Sequence, residues 1–306
     1  MNILFVSSGN TSEGISSIVR NQGVSLQGLG HDISFFTIKG KGIKGYLKHI
    51  FILRNFLRSG SYDVVHAHYS LSAITAALAG ARPLVVSLMG SDVKASPILK
   101  YMIKFFKRLF WKKVIVKSED MRLSAQLKDA KVLPNGVDFN TFRPIPREKA
   151  LKVTGWDPDQ KHVLFAANPT RSEKNFQLAK DGFQAMDINV PVALHTLNDV
   201  PNALMPAYFN AAEVVLLTSR WEGSPNVIKE AMACNCKIVT VDVGDVRQVI
   251  GNTKGCFIAD ATVSDVSKKL EYALRLDTKT SGRTTITHLS SALIAEKLAS
   301  IYTSIA

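Results

Sequence analysis

The stretch SRWEGSPNVIKEAMA (219–233) carries Glu222 just before a Gly-Ser-Pro turn and Glu230 eight residues later. A carboxylate accepts two hydroxyl hydrogens at once, so either glutamate could clamp the diol of a ribose or another sugar. Between them lie the parts of an anion site. Gly223 permits a tight turn and close approach of a ligand to the backbone. Ser224 suits a helix N-cap, and Pro225 suits the first helical position, where no donor is needed. The free amides of such a helix start, with the positive end of its dipole, attract phosphate. From Pro225 to Glu230 a helix rises roughly 7.5 Å, about the reach from a diphosphate to the ribose of the same nucleotide. Two glutamates on a surface helix also arise for solubility alone. The pair gains weight from its setting of strand, turn, Gly-Ser-Pro and helix.

A diphosphate needs cations, and FAANPTRSEKNFQLA (165–179) offers them. A strand ends, Asn168 and Pro169 turn, and Arg171 and Lys174 precede a helix. Positive side chains at a strand's carboxyl end are placed to stabilise a departing nucleoside diphosphate. The alternative is two solvated residues in a polar loop.

The elements that must position these residues follow from the apolar pattern. NILFVS, DISFFTI, DVVHAHY, PLVVSLM, KVIVKS and AKVLPNG alternate with helical patterns, as in a parallel sheet with helices on both faces. After FRPIPREKA the alternation resumes with HVLFAAN, PVALHT, EVVLLTS and CKIVTVD. The 306 residues are therefore expected to form two doubly wound α/β domains, 1–145 and 146–288. A last helix, within 289–306, is expected to fold back toward the first domain. Ligands of such sheets lie beyond the carboxyl ends of the strands, which puts the expected cleft between the two domains.

Charge separates the halves. Residues 1–145 hold 20 Lys/Arg against 8 Asp/Glu (+12), and residues 146–306 hold 18 against 17 (+1), together the net +13. The excess concentrates in 39–58, with six Lys/Arg, and 94–113, with seven, neither holding an acid. Both interleave cations with Leu, Ile and Phe at helical spacing, which fits helices on an anionic membrane surface. Ordinary amphipathic helices with a cationic solvent face are the alternative. Nucleic acid is not expected as a partner, because no recognition module accompanies the charge. The opening MNILFVSSGN reads as a first strand rather than a signal peptide, and no window reaches the roughly 18 apolar residues of a membrane span. The three cysteines, Cys234, Cys236 and Cys256, suit a reducing cytoplasm, and no cluster around them suggests a metal.

With these residues in place, the chain resembles a retaining glycosyltransferase of family 4, with the two-domain GT-B fold, of the kind found in bacterial surface-polysaccharide synthesis. The 219–235 segment resembles that family's E-x7-E motif, and RSEKNFQLA its Arg/Lys phosphate loop. VIVKSEDM with VLPNGVDFNTFRP, DVVHAHYSLSA, GSDV and MPAYFNAAEVVLLTS resemble further stretches, in the family's order. The resemblance implies that Glu230 binds the ribose and Glu222 the donor-sugar hydroxyls. Gly223, Ser224, Pro225, Asn226 and Val227 would offer backbone amides. Arg171 and Lys174 would neutralise the diphosphate beside Asn168. Gly14 would approach the donor phosphate, with Glu13 standing where the family has a first glycine. The base would stack near HTLNDV (195–200), around Leu197. Glu13, His68, Met89, Ser91 and Asp92 would face the acceptor, and Glu222, Arg171, Lys174 and Asp92 would serve catalysis. Met89 replaces the histidine that commonly touches the donor sugar. Family members need no metal or other cofactor.

The remaining residues are read more plainly. His66 and His68 are expected to point to opposite faces of their strand, so that at most one reaches the cleft. Asp92 either orients an acceptor hydroxyl or caps the next helix. Trp111, Phe105, Phe106 and Phe110 are expected in the core or against a membrane rather than under a sugar. Two rival functions share the fold: a sugar-nucleotide epimerase, which would act without an acceptor, and a non-catalytic scaffold of a polysaccharide assembly complex. The transferase would work at the inner face of the plasma membrane, on a UDP- or GDP-sugar and a lipid-linked or saccharide acceptor.

Overall fold

The computed structural model describes residues 1–11, 14–40, 42–92, 97–197 and 200–305. In chain order the first elements are β1 (Asn2–Ser8), α1 (Ser17–Gln27), β2 (Asp32–Ile38), α2 (Gly42–Ser59), β3 (Val64–His68) and α3 (Ser70–Ala79). Then come β4 (Leu84–Ser87), α4 (Pro97–Leu109), β5 (Lys113–Val116), α5 (Glu119–Ser124) and β6 (Lys131–Val132). The second half runs α6 (Arg147–Thr154), β7 (Lys161–Phe165), α7 (Phe176–Gln184), β8 (Val192–Thr196), α8 (Met205–Ala211), β9 (Val214–Leu217) and α9 (Asn226–Ala233). It ends with β10 (Lys237–Val241), α10 (Val246–Ile250), β11 (Cys256–Ala259), α11 (Val263–Arg275), α12 (Gly282–Thr285) and α13 (Ser291–Thr303). The chain forms two compact units, residues 1–136 with 291–306, and residues 137–290.

The first unit holds a parallel sheet in the order β2-β1-β3-β4-β5-β6. Its central strands are nearly continuous apolar runs because helices cover both faces. Leu4, Val6, Val65, Ala67, Val86 and Val116 share one core cluster with residues of α2, α3 and α4. Alternate residues point the other way, on the side where α1 and α13 pack together. The strand order reverses between β1 and β3, so the loops leaving these strands diverge and open a crevice at their carboxyl ends.

The second unit orders its strands β11-β10-β9-β7-β8, also all parallel. Val163, Phe165, Leu216, Val239 and Val241 pack with Leu178 of α7 and with Val266 and Leu270 of α11. The order reverses between β7 and β9. These are the two strands whose following loops carry the cations and the glutamates singled out from sequence.

The boundary between the units falls at 136/137 rather than at 145/146. Residues 137–146 are bound into the second unit. Val137 bridges Ser290, Phe142 packs near Phe209, and the Arg283 guanidinium donates to the carbonyls of Phe139 and Phe142. A proline-rich composition marks irregular backbone, but here that backbone is fastened by a buried aromatic ring and one arginine.

Candidate functional site

At the β7/β9 reversal, two loops are stitched into one surface. The Asn168 side chain accepts from the Thr170 amide at 2.9 Å and its hydroxyl at 2.7 Å, closing the turn after β7. Beyond it Asn175 adopts a left-handed conformation, φ 54°, at the start of α7. Thr218, just past β9, donates its hydroxyl to the carbonyls of Lys174 (3.3 Å) and Asn175 (3.0 Å), and the Arg220 amide donates to the Glu173 carbonyl at 2.9 Å. These bonds bring Lys174 to Glu222, Nζ to Oε1 at 2.6 Å, with both side chains largely buried. Ser219 donates its hydroxyl to the same oxygen at 2.7 Å. Oε2 has no hydrogen-bond partner among the described residues. Arg171 stands apart, exposed, with its guanidinium on Glu173 at 2.5 Å.

The turn after Glu222 departs from the sequence reading. Ser224 does not cap the helix: α9 begins at Asn226 with Pro225 in the cap position and no capping side chain. The Ser224 hydroxyl donates instead to Asp245 Oδ2 at 2.6 Å and accepts from Lys229 Nζ at 2.7 Å. A charged partner on either side outcompetes a neutral backbone amide for one hydroxyl. The Pro225 cap position adds no side-chain hydrogen bond to the first turn of α9, whose positive dipole end favours an anion. Underneath, Gly244 (φ +61°) supports the turn. A Cβ there would lie 2.7 Å from the Gly223 carbonyl oxygen and 3.1 Å from that of Glu222.

Burial sets the charges of this turn. It lowers the Lys229 ammonium to about 8, against the attraction of Asp245 and Glu230. It raises the Asp245 carboxyl, and Asp245 Oδ1 is buried without a partner. Burial also raises Glu230 to about 7, with Lys229 partly opposing. Glu230 keeps some surface and has no side-chain hydrogen bond or ion pair among the described residues. A carboxylate carrying that cost without a protein partner is set up for a ligand.

Leu197 follows β8 and is buried. Its neighbour His195 stacks on Trp156, centroids 3.7 Å apart, and meets His162 across 3.0 Å. The rest of the expected base region, Asn198 and Asp199, lies outside the described residues.

In the first unit, the loop after β1 carries Gly14 at φ +78°, a backbone only glycine adopts readily. Glu13 lies outside the described residues. Asp92 is wholly buried, and the residues that lead from it into the next helix, 93–96, lie outside the described residues. Its carboxylate accepts from the amides of Ser70, Met89 and Gly90, each at 3.1 Å, fixing the start of α3 and the turn after β4. Burial lifts its carboxyl to about 6, with those amides opposing. A carboxylate enclosed in this way holds Met89 and Gly90 in place. Met89 is half-buried and Ser91 exposed beside it.

His66 and His68 do not point to opposite faces. Residues two apart on a strand share a face, and the two rings lie 4.2 Å apart. His66 meets Tyr302 of α13 across 2.5 Å at Nδ1 and the Ser87 hydroxyl across 2.9 Å at Nε2. Lys117 donates to the same hydroxyl at 3.4 Å. Burial and then the Lys117 charge push His68 down to about 3. His68 is 3% exposed, and its Nε2 has no partner. An acceptor contact by His68 does not fit that burial.

Sequence reasoning missed Lys229, Gly244, Asp245, Lys117 and Tyr302. The Gly-Asp pair directly after a strand, in VDVGDV, was the available signal for Gly244 and Asp245. Lys229 hid as an ordinary helix lysine, and Tyr302 lies 236 residues from its partner.

Comparison with known proteins bears on this arrangement. Residues 20–141 match the family model described as Glycosyltransferase Family 4, and residues 160–275 that described as Glycosyl transferases group 1. The chain is similar to a putative teichuronic acid biosynthesis glycosyltransferase of Bacillus subtilis, 28% identical over 62% of this chain and 55% of that one. It thus spans about half the length of that relative. It is also similar to an Escherichia coli UDP-Gal:alpha-D-GlcNAc-diphosphoundecaprenol alpha-1,3-galactosyltransferase, 24% identical over 75% of this chain and 70% of the other. Its fold matches Anabaena HepE, solved with UDP and glucose, at a TM-score of 0.80 and 17% identity, covering 99% of this chain and 100% of that one.

Proposed function

The chain belongs to glycosyltransferase family 4, and from that premise we propose that it moves a hexose from a UDP- or GDP-sugar, with retention of anomeric configuration, to a lipid-linked glycan or saccharide in surface-polysaccharide synthesis. The observation that carries the proposal is the Lys174–Glu222 pair at the β7/β9 reversal, 2.6 Å apart beside the amino terminus of α9. In the free protein these charges neutralise each other. A donor exchanges partners: its diphosphate takes Lys174 and the α9 amides, and its sugar hydroxyls take the released Glu222 carboxylate. Glu230 accepts from the ribose hydroxyls.

The chemistry follows from that placement. The bond from the anomeric carbon to the diphosphate oxygen breaks, and negative charge grows on the leaving group. Lys174, released from Glu222 when the donor binds, and the amides after Glu222 meet that charge, and Arg171 joins them by leaving Glu173, so the proposed reaction needs no metal. The acceptor hydroxyl bonds to the anomeric carbon on the departing face, and its proton passes to a leaving phosphate oxygen. Asp92 holds the turn of Met89 and Gly90 in place. The E. coli relative is named for transfer to a diphosphoundecaprenol-linked sugar, and the cationic helices α2 and α4 suit a lipid-linked acceptor presented at the cytoplasmic face of a membrane. Among the described residues no helix is long and apolar enough to cross one.

The test is calorimetric titration with UDP, GDP and ADP, on the natural chain and on Glu230→Ala, followed by transfer assays with Glu222→Ala/Glu230→Ala. Binding of one nucleotide, weakened in the variant, supports the site. Sugar transfer that survives the double replacement would sink it, and conversion of a nucleotide sugar without an acceptor would point to the epimerase.

A further inference from the structure

We propose that the first unit holds a pocket for the phosphodiester headgroup of an anionic phospholipid, at the amino-terminal edge of its sheet, where α4 ends and β5 begins. Lys104, Lys107, Arg108, Lys112, Lys113 and Trp111 line a cavity of about 450 Å3 there. Lys104 donates to Gln126 at 2.5 Å and Lys107 pairs with Asp129, which braces the α4 wall against the segment after α5. Arg108, Lys112 and Lys113 have no ion pair among the described residues. The indole of Trp111 is 5% exposed, and its Nε1–H, a donor only, is buried with no hydrogen-bond partner. The indole forms part of the cavity wall, and the unpaired cations around it supply the charge that a phosphodiester group would neutralise.

The occupant follows from what lies beside the cavity. Ile98, Tyr101, Phe105 and Leu109 recur at spacings of three and four on one side of α4 and are 48% to 74% exposed. This stripe borders the side bearing Lys104 and Arg108, while Ile103 and Phe106 face the core. An exposed apolar stripe flanked by cations is the pattern of a helix lying in a bilayer interface, and an anionic leaflet attracts such cations. A free phosphate would engage the cavity and leave the stripe in water, whereas a phospholipid satisfies both. Lys94, in the same basic stretch, lies outside the described residues. The pocket sits at the opposite end of β5 from the Lys117 cluster, so it is not the carboxyl-end crevice.

This deepens the membrane part of the transferase reading, and no nucleotide enters its test, so its failure leaves the donor site standing. The whole chain is sedimented with vesicles of phosphatidylcholine alone, or with about one-third phosphatidylglycerol, at physiological salt. Binding is expected only to the second. Lys112→Gln/Lys113→Gln removes two pocket charges and is expected to weaken binding about tenfold, the scale of a charge-assisted hydrogen bond. Lys254→Gln/Lys268→Gln, which removes equal charge from the second unit, is expected to change it less than about twofold. Thermal unfolding checks each variant. Equal losses from the pocket and control pairs would show diffuse attraction and overturn the pocket. So would failure to bind anionic vesicles, or displacement from them by millimolar inorganic phosphate.

Discussion

At the scale of single residues, the donor site is a set of charges held slightly out of their preferred state. Glu230 shows the tension. Its carboxyl ordinarily titrates at 4.5 and is raised to about 7 here by burial. A carboxyl with a raised native value binds its proton more tightly when folded, so the contribution of Glu230 to stability is full below pH 4.5 and is lost as pH climbs through 7. Glu230→Gln removes that slope. At pH 8 the variant should unfold with a higher midpoint, the gain being on the order of 1–3 kcal/mol. The same variant should bind nucleotide more weakly. Because only the ionised form accepts two ribose hydroxyls, the natural chain's advantage over Glu230→Gln should grow from pH 6 to pH 8 in calorimetry. An advantage independent of pH would separate Glu230 from the ribose. Lys174 acts on the leaving group instead: Lys174→Gln should lower kcat/KM for transfer by about two to three orders of magnitude, as loss of a fixed donor at developing charge does.

At the scale of elements, one loop supports another. The turn after β10 brings Gly244 beneath the Gly223 carbonyl, with a Cβ position only 2.7 Å from that oxygen. Gly244→Ala has to push the turn away and hold φ near +61° with a side chain, a strain on the order of 1–3 kcal/mol. We expect a lower unfolding midpoint together with weaker nucleotide binding, because the displaced backbone carries the α9 amides. Normal binding in Gly244→Ala would show that the turn is not the phosphate cradle. The strands themselves were legible from their apolar runs. The helix start of α9 was not, since serine, proline and asparagine each suit an N-terminus, and the choice fell to Lys229 inside the helix and Asp245 on another loop.

At the scale of the whole molecule, the chain returns at its end to the unit it began. Tyr302 of α13 hydrogen-bonds His66 on β3 in the first unit. Tyr302→Phe leaves the ring and takes away a buried hydroxyl, which should destabilise that unit by about 1–2 kcal/mol. Deleting residues 291–306 should open the first unit to proteolysis and leave nucleotide protection of the second intact. Loss of that protection would contradict the division at 290/291.

The amino-acid sequence by itself determined the class of fold, because alternating apolar strands and amphipathic helices have few ways to be buried. It also determined the family, and the two loops at which the Lys174 and Glu222 charges would gather. Tertiary structure decided what each polar atom does once packed. It turned Asp92 into a brace for three amides and sealed His66 and His68 on one face beneath α13. It gave the Ser224 hydroxyl to Lys229 and Asp245, and left Trp111 with an unmet donor among lysines. These outcomes depend on which distant groups share a small volume and how much water remains there, and spacing along a chain records neither.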